Sequence, residues 1–141
     1  MRKMLASLAA VTAIGGIITA AHAAASISGR WTTKEKDAII EIAPCGANMC
    51  GKISKYLKTP PNGVDQKDIH NPNKALRTRK VLGINILSNL KEDGEKWRGT
   101  IYDPRNGKSY RSVVYKQKNG NLNVQGCIGP ICQSQVWTPA S

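Results

Sequence analysis

Few side chains in this 141-residue sequence are of a type that could do chemistry. Four cysteines stand in two copies of C-x-x-x-x-C, Cys45 with Cys50 and Cys127 with Cys132. Such thiols can hold zinc, exchange electrons or close disulfides. Zinc sites and redox dithiols usually place two residues between their cysteines, not four. Of the three connectivities open to four cysteines, the matched spacing favours Cys45–Cys50 and Cys127–Cys132, each stapling a hairpin. His70 is the sole histidine after residue 23, too little for a histidine metal site or a nucleophile relay, so neither metal nor other cofactor is expected. Asp103 precedes Pro104 and suits a turn better than a catalytic acid. No acid, base and nucleophile can be brought together from these residues, so the chain reads as a binding or interaction protein and not as an enzyme. What remains is recognition by charge. Arg77, Arg79, Arg105 and Lys108 are the candidate cations, because guanidinium forks take carboxylate or phosphate bidentately.

The compartment follows from the first residues. Arg2 and Lys3 precede an uncharged run over residues 4–21, and Ala21-His22-Ala23 satisfies the small-x-small rule for signal peptidase. Removal of residues 1–23 leaves one domain, 24–141, with no lipoprotein cysteine after the cut and no transmembrane segment. The product is expected to be periplasmic or secreted, which agrees with disulfides. It retains 19 basic and 9 acidic residues, a net charge of +10. Such a balance favours anionic partners, either acidic small molecules or an envelope polymer, although scattered lysines also serve solubility alone. No basic run interleaved with aromatics is present, so specific nucleic-acid binding is not expected.

The elements that must position the charged groups are strands. Eight strand-like runs, 29–33, 38–44, 50–57, 81–87, 96–102, 108–117, 121–127 and 132–138, are separated by turn signals, and no stretch has a helical period. The hairpin over 97–110 sets the register. Pro104 and Gly107 fit a four-residue loop with Asp103 facing Lys108, which pairs Ile101 with Tyr110, Gly99 with Ser112 and Trp97 with Val114. A three-residue loop over 118–120 with left-handed Gly120 carries the same face onward, pairing Val114 with Val124 and Lys116 with Leu122. Cys127 facing Cys132 then brings Val124 to Gln135 and Leu122 to Trp137. Cys45 facing Cys50 would pair Ile42 with Ile53 and Pro44 with Gly51. One inner layer results: Ile40, Ile42, Ile53, Trp97, Ile101, Tyr110, Val114, Leu122, Val124 and Trp137, with Gln135 among them and in need of a hydrogen-bond partner. The expected fold is all-β, a small eight-stranded antiparallel up-and-down barrel, with a two-sheet β-sandwich as the alternative.

Strand parity sorts the loops to two ends. Residues 34–37, the long loop 58–80 between strands 3 and 4, the Asp103–Lys108 turn and the loop from Cys127 to Cys132 share one end. In the long loop, Asn71-Pro72 opens a turn and residues 73–76 suit one helical turn. Arg77 and Arg79 would point the same way if extended and, with Arg105 and Lys108, rim a mouth. They have a second reading as ion-pair partners of Asp65, Asp68 and Asp103 that pin the loop to the barrel. Tyr110 and Gln135 would lie within, in space left by Gly99, Ser112 and Gly126.

The motifs also carry a resemblance. G-x-W at 29–31, C-G-K-I at 50–53, D-x-x-N-P-N-x-x-L-R-x-R at 68–79, W-x-G-x-I-Y-D-P-R-x-G-K-x-Y at 97–110 and C-x-x-Q-x-W-T at 132–138 are similar, in order, to the bacterial envelope family catalogued as domain of unknown function number 2147. Asn73 stands where the family pattern often has Asp, and Lys80 where Pro is common. The resemblance implies a small exported β protein. Gly29-x-Trp31 at the first strand also resembles the lipocalin entry motif, whose Trp plugs the closed end of a barrel. Two functions follow: a lipocalin-like (calycin-like) binding protein for an anionic or amphiphilic small molecule, or a basic envelope interaction or stress protein that docks on cell-wall polymer, lipopolysaccharide or a protein partner.

Overall fold

Strands succeed one another around a closed barrel in the computed structural model, which describes residues 9–18 and 22–141. They are β1 (Gly29–Thr32), β2 (Ala38–Cys45), β3 (Asn48–Tyr56), β4 (Asn85–Asp93), β5 (Lys96–Asp103), β6 (Lys108–Lys116), β7 (Leu122–Ile128) and β8 (Ile131–Pro139). All neighbours are antiparallel, and β1 closes on β8 with Trp31 facing Pro139 and Thr32 facing Thr138. Closure removes the free edges that a sandwich would keep. The expected leader, 1–23, lies in part outside the described residues. Among the described residues no helix is long and apolar enough to cross a membrane.

The hairpins of β5 to β8 have the registers that their turn residues dictate. Asp103 faces Lys108, Gly107 takes φ +72°, and Asp103 Oδ1 accepts from Arg105 N at 2.9 Å while Asn106 Oδ1 accepts from Lys108 N at 2.9 Å. Ile101 thus faces Tyr110, and Trp97 faces Val114. Gly120, at φ +90°, ends the next loop, and Val114 meets Val124 and Lys116 meets Leu122. Cys127 faces Cys132, Val124 faces Gln135, and Leu122 faces Trp137. Both expected disulfides form, Cys45–Cys50 and Cys127–Cys132, the mark of an extracytoplasmic protein.

Two expectations need correction. First, Cys45 does not face Cys50. A two-residue turn at Gly46 and Ala47 sets Cys45 against Asn48 and Cys50 against Ala43, so the disulfide runs diagonally, and Ile42 faces Gly51 while Ile40 faces Ile53. The slip is by two residues, which leaves every side chain on its expected face. Second, β4 is Asn85–Asp93 rather than 81–87. Its alternation is interrupted by a bulge at Asn89, φ +53°, so Leu87 and Leu90 both point inward at a spacing of three, hiding the strand's period. Val81 and Ile84 are buried, but in turns that precede the strand.

The core fills one end of the barrel. Ile27, before β1, is fully buried, and its carbonyl accepts from Trp31 Nε1 at 3.0 Å; the Ala25 carbonyl accepts from Trp97 Nε1 at 3.0 Å. Ile42, Met49, Leu90, Val114, Leu122 and Val124 are buried with them. Trp97, Ile101 and Tyr110, expected inside, are only half-buried. Gly99 does not leave open space as expected. A Cβ there would lie 2.4 Å from Ser88 O, so this glycine admits the β4 bulge across β5. Gly126, in contrast, would place a Cβ at an ordinary 3.6 Å from Ile101.

Gly99→Ala should therefore lower unfolding free energy by about 1–3 kcal/mol, because backbone and not a flexible side chain must move. Gly126→Ala should have a clearly smaller effect in the same denaturant titration.

Candidate functional site

At the end where β1 gives way to β2, the barrel is hollow. A cavity of about 740 Å³ opens there, walled by Ile40, Ile53, Ile86, Ile101, Gly126 and Trp137, with Tyr56, Tyr110 and Gln135 as polar groups along it. The inner layer supplies this wall because it runs the length of the barrel, while Ile27 and its neighbours fill only the other end. Gln135 finds the partner it requires: its Oε1 accepts from Trp137 Nε1 at 2.8 Å. Tyr56 OH accepts from Gln66 Nε2 at 3.1 Å, and Tyr110 OH from Asn106 Nδ2 at 3.3 Å. The rim carries Lys34, Lys58 and Arg105 against Glu35, Asp37 and Asp103, so its charges balance.

The sequence candidates divide into two groups. Asp103, Arg105, Tyr110 and Gln135 line the cavity; Asp68, Arg77, Arg79 and Lys108 do not. Arg105 grips Asp103 bidentately, Nε to Oδ1 and Nη2 to Oδ2, both at 2.9 Å. Burial pushes the Asp103 carboxyl up, but the Arg105 hydrogen bonds and charge outweigh it and hold the carboxyl below its ordinary value; the same pairing raises Arg105. Arg77 and Arg79 do not point together, since residues 77 and 78 turn. Arg77 Nε donates to the Asn71 carbonyl at 2.7 Å, and Arg79 reaches Asp68.

Asp68 is fully buried. Its Oδ1 accepts from Tyr102 OH at 2.6 Å, and its Oδ2 from Asn71 Nδ2 at 2.9 Å and from Arg79 Nε and Nη2 at 3.0 Å each. These contacts latch the β3–β4 connection, residues 57–84, onto β5. Around the latch, Asn73 caps the 3-10 turn Lys74–Leu76 by accepting from Ala75 N at 3.1 Å, and Lys67 bridges to Lys80. A Cβ on Gly107 would come within 1.8 Å of His70 O, so the connection lies directly on the β5–β6 turn. Burial pushes the Asp68 carboxyl up, but the hydrogen bonds from Tyr102, Asn71 and Arg79, with the Arg79 charge, hold it below its ordinary value. Burial and the adjacent carboxylate push Tyr102 up to about 12.

Sequence reasoning missed Tyr56, Lys58, Gln66 and Tyr102. Tyr102 sits on the face opposite Trp97, and its role appears only once the long connection folds back over it. Glu35 and Asp37 were within reach, because parity already places residues 34–37 at the mouth.

The signs of the two shifts differ. The lowered Asp68 value stabilises the latch fully above about pH 4, the ordinary aspartate range, and the contribution is lost as pH falls through the lowered value. The raised Tyr102 value does so below about pH 10, and its contribution is lost as pH rises through about 12. Alkaline ultraviolet titration should record one tyrosine ionising at about 12, moving down in Asp68→Asn. Asp68→Ala should cost about 2–3 kcal/mol, less than a fully buried pair because Arg79 keeps 38% of its side chain exposed, and should open residues 57–84 to proteolysis.

Comparison with known proteins fits this geometry. The structure of protein HP1028 from the human pathogen Helicobacter pylori, described as belonging to the lipocalin family, superposes with a TM-score of 0.72 at 23% sequence identity, covering 82% of this chain and 84% of that one. The barrel is therefore lipocalin-like. None of the curated proteins matches the sequence. The model of one bacterial family matches residues 29–139, nearly the whole barrel, and the chain thus belongs to the family described as "Uncharacterized protein conserved in bacteria (DUF2147)".

Proposed function

We propose that this is an exported, periplasmic or secreted binding protein that holds a small amphiphilic molecule, and not an enzyme. One observation carries the reading: a cavity of about 740 Å³, with an apolar wall of isoleucines and Trp137 and polar groups beside it, is open at one end of the barrel and stopped at the other by Ile27 and Trp31. Cavities of this size, mostly apolar with a few placed polar groups, take small ligands. The apolar body of the ligand would lie against Ile40, Ile53, Ile101 and Trp137. Its polar end would meet Tyr110 and Gln135, whose Nε2 donates to no atom among the described residues.

The charge pattern favours an amphiphile over a simple anion. Arg105 spends its Nε–Nη2 edge and much of its charge on Asp103, and Arg79 does the same with Asp68, so neither offers an uncompensated cation to a carboxylate or phosphate. Export is supported by the residues 1–23 signal pattern and by two disulfides in one small domain.

Titration with the apolar fluorophore N-phenyl-1-naphthylamine should show saturable uptake by the wild-type protein. Gly126→Leu, which fills the cavity beside Ile101, should weaken uptake at least about tenfold, or about 1.4 kcal/mol, while the melting temperature stays within a few degrees. Uptake that does not saturate, or that Gly126→Leu leaves unchanged, refutes the reading. Dodecanol and laurate should displace the probe with similar affinity; strong preference for laurate would restore the anionic alternative.

A further inference from the structure

We infer that the mouth of the barrel docks on an anionic lipid surface. From residue 24 onward, seven large hydrophobic side chains are exposed, and all but Val136 belong to segments at the mouth. Leu57, Val64, Ile69 and Leu82 lie in the β3–β4 connection. Ile128 and Ile131, each 71% exposed, face each other across the turn between β7 and β8. Both contribute to the lip of the cavity, yet most of each side chain stands in solvent, and a two-residue turn needs no apolar flanks. A concentration of exposed apolar groups at one pole marks a surface that meets something.

The tip is built to hold its shape. Cys127–Cys132 clamps the strands directly behind Ile128 and Ile131, Gly129 takes φ +54°, and the Arg111 guanidinium holds the Gly129 carbonyl. A braced wedge of this kind inserts without the ordering cost that a loose loop would carry.

Charge identifies the partner. The connections at the mouth, residues 33–37, 57–84, 104–107 and 129–130, carry nine basic and four acidic residues, whereas the three turns at the other end carry one of each. The excess lies almost wholly in the β3–β4 connection, at the same pole as the apolar tip, although the rim immediately about the cavity is balanced. Exposed apolar side chains sharing one pole with an excess of lysine and arginine suit the interface of a bilayer, where the chains enter the acyl boundary and the cations meet headgroup phosphates. Two isoleucines and a few scattered neighbours offer far less than the roughly 800 Å² per partner of a stable protein interface. Docking in this orientation turns the cavity toward the membrane. The inference concerns the outer rim and tip, and stands whether or not the cavity holds a ligand.

Sedimentation of the cleaved chain, 24–141, with vesicles tests it. The protein should sediment with phosphatidylcholine vesicles containing phosphatidylglycerol, much less with phosphatidylcholine alone, and less as salt rises. Ile128→Ser with Ile131→Ser should lower the affinity for vesicles at least about tenfold, while circular dichroism stays as in wild type. Lys118→Ser, at the opposite end, should change nothing. Absence of binding to anionic vesicles, or equal binding by the double variant, overturns the inference. So does a tip variant that abolishes self-association of a protein indifferent to vesicles, which would assign the tip to a second copy of the chain.

Discussion

Asp68 lies with no exposed surface beneath the longest connection of the chain, and its two oxygens collect hydrogen bonds from Tyr102, Asn71 and Arg79. A 28-residue connection holding a single 3-10 turn would ordinarily be mobile. Here a buried carboxylate makes every donor around it obligatory, because withdrawing one leaves charge in a desolvated place. The latch draws the middle and later part of the connection onto β5, and the close approach of His70 to Gly107 completes the seat. The wall that Gln66 and Val81 add to the cavity depends on that seat.

The two ends of the barrel are consequently unlike. At one, the chain before β1 folds back so that Ile27 fills the bore and the indole nitrogens of Trp31 and Trp97 reach backbone carbonyls. Packing there leaves no space. At the other, Gly126 adds no side chain and no comparable plug enters among the described residues, which leaves a bore that Ile40, Ile53 and Trp137 line. An eight-stranded barrel is just wide enough for a choice between a filled bore and an open one, and this one is filled at one end and open at the other.

Charge is also distributed by topology. The arginines best suited to bind an anion are engaged internally, Arg105 by Asp103 and Arg79 by Asp68, so they shape the mouth. The remaining excess lies mainly on the β3–β4 connection, at the same pole as the exposed isoleucines. A strongly basic sequence thus presents a balanced cavity rim and a basic outer pole.

Local chemistry made much of the fold legible in advance. Asp103-Pro104 with Gly107, Lys118 with Gly120, and Cys127 with Cys132 are each determined by φ preferences or bond reach within a few residues, and period-two alternation carries one inner face from Trp97 to Trp137. The family motifs were legible as well, although their purpose was not, since the segment from Asp68 and the hairpin ending at Tyr110 prove to meet, Asp68 at Tyr102 and His70 at Gly107. What alternation cannot show is a bulge, so β4 was misplaced until Asn89 and Gly99 were seen to fit each other. Nor can it assign partners among like charges, and only the folded loop decided that Arg79 takes Asp68 while Arg77 takes a carbonyl. Turns and faces depend on neighbours in sequence and are written there; plugs, latches and cavities depend on segments that meet across the barrel, and come into being only with the fold.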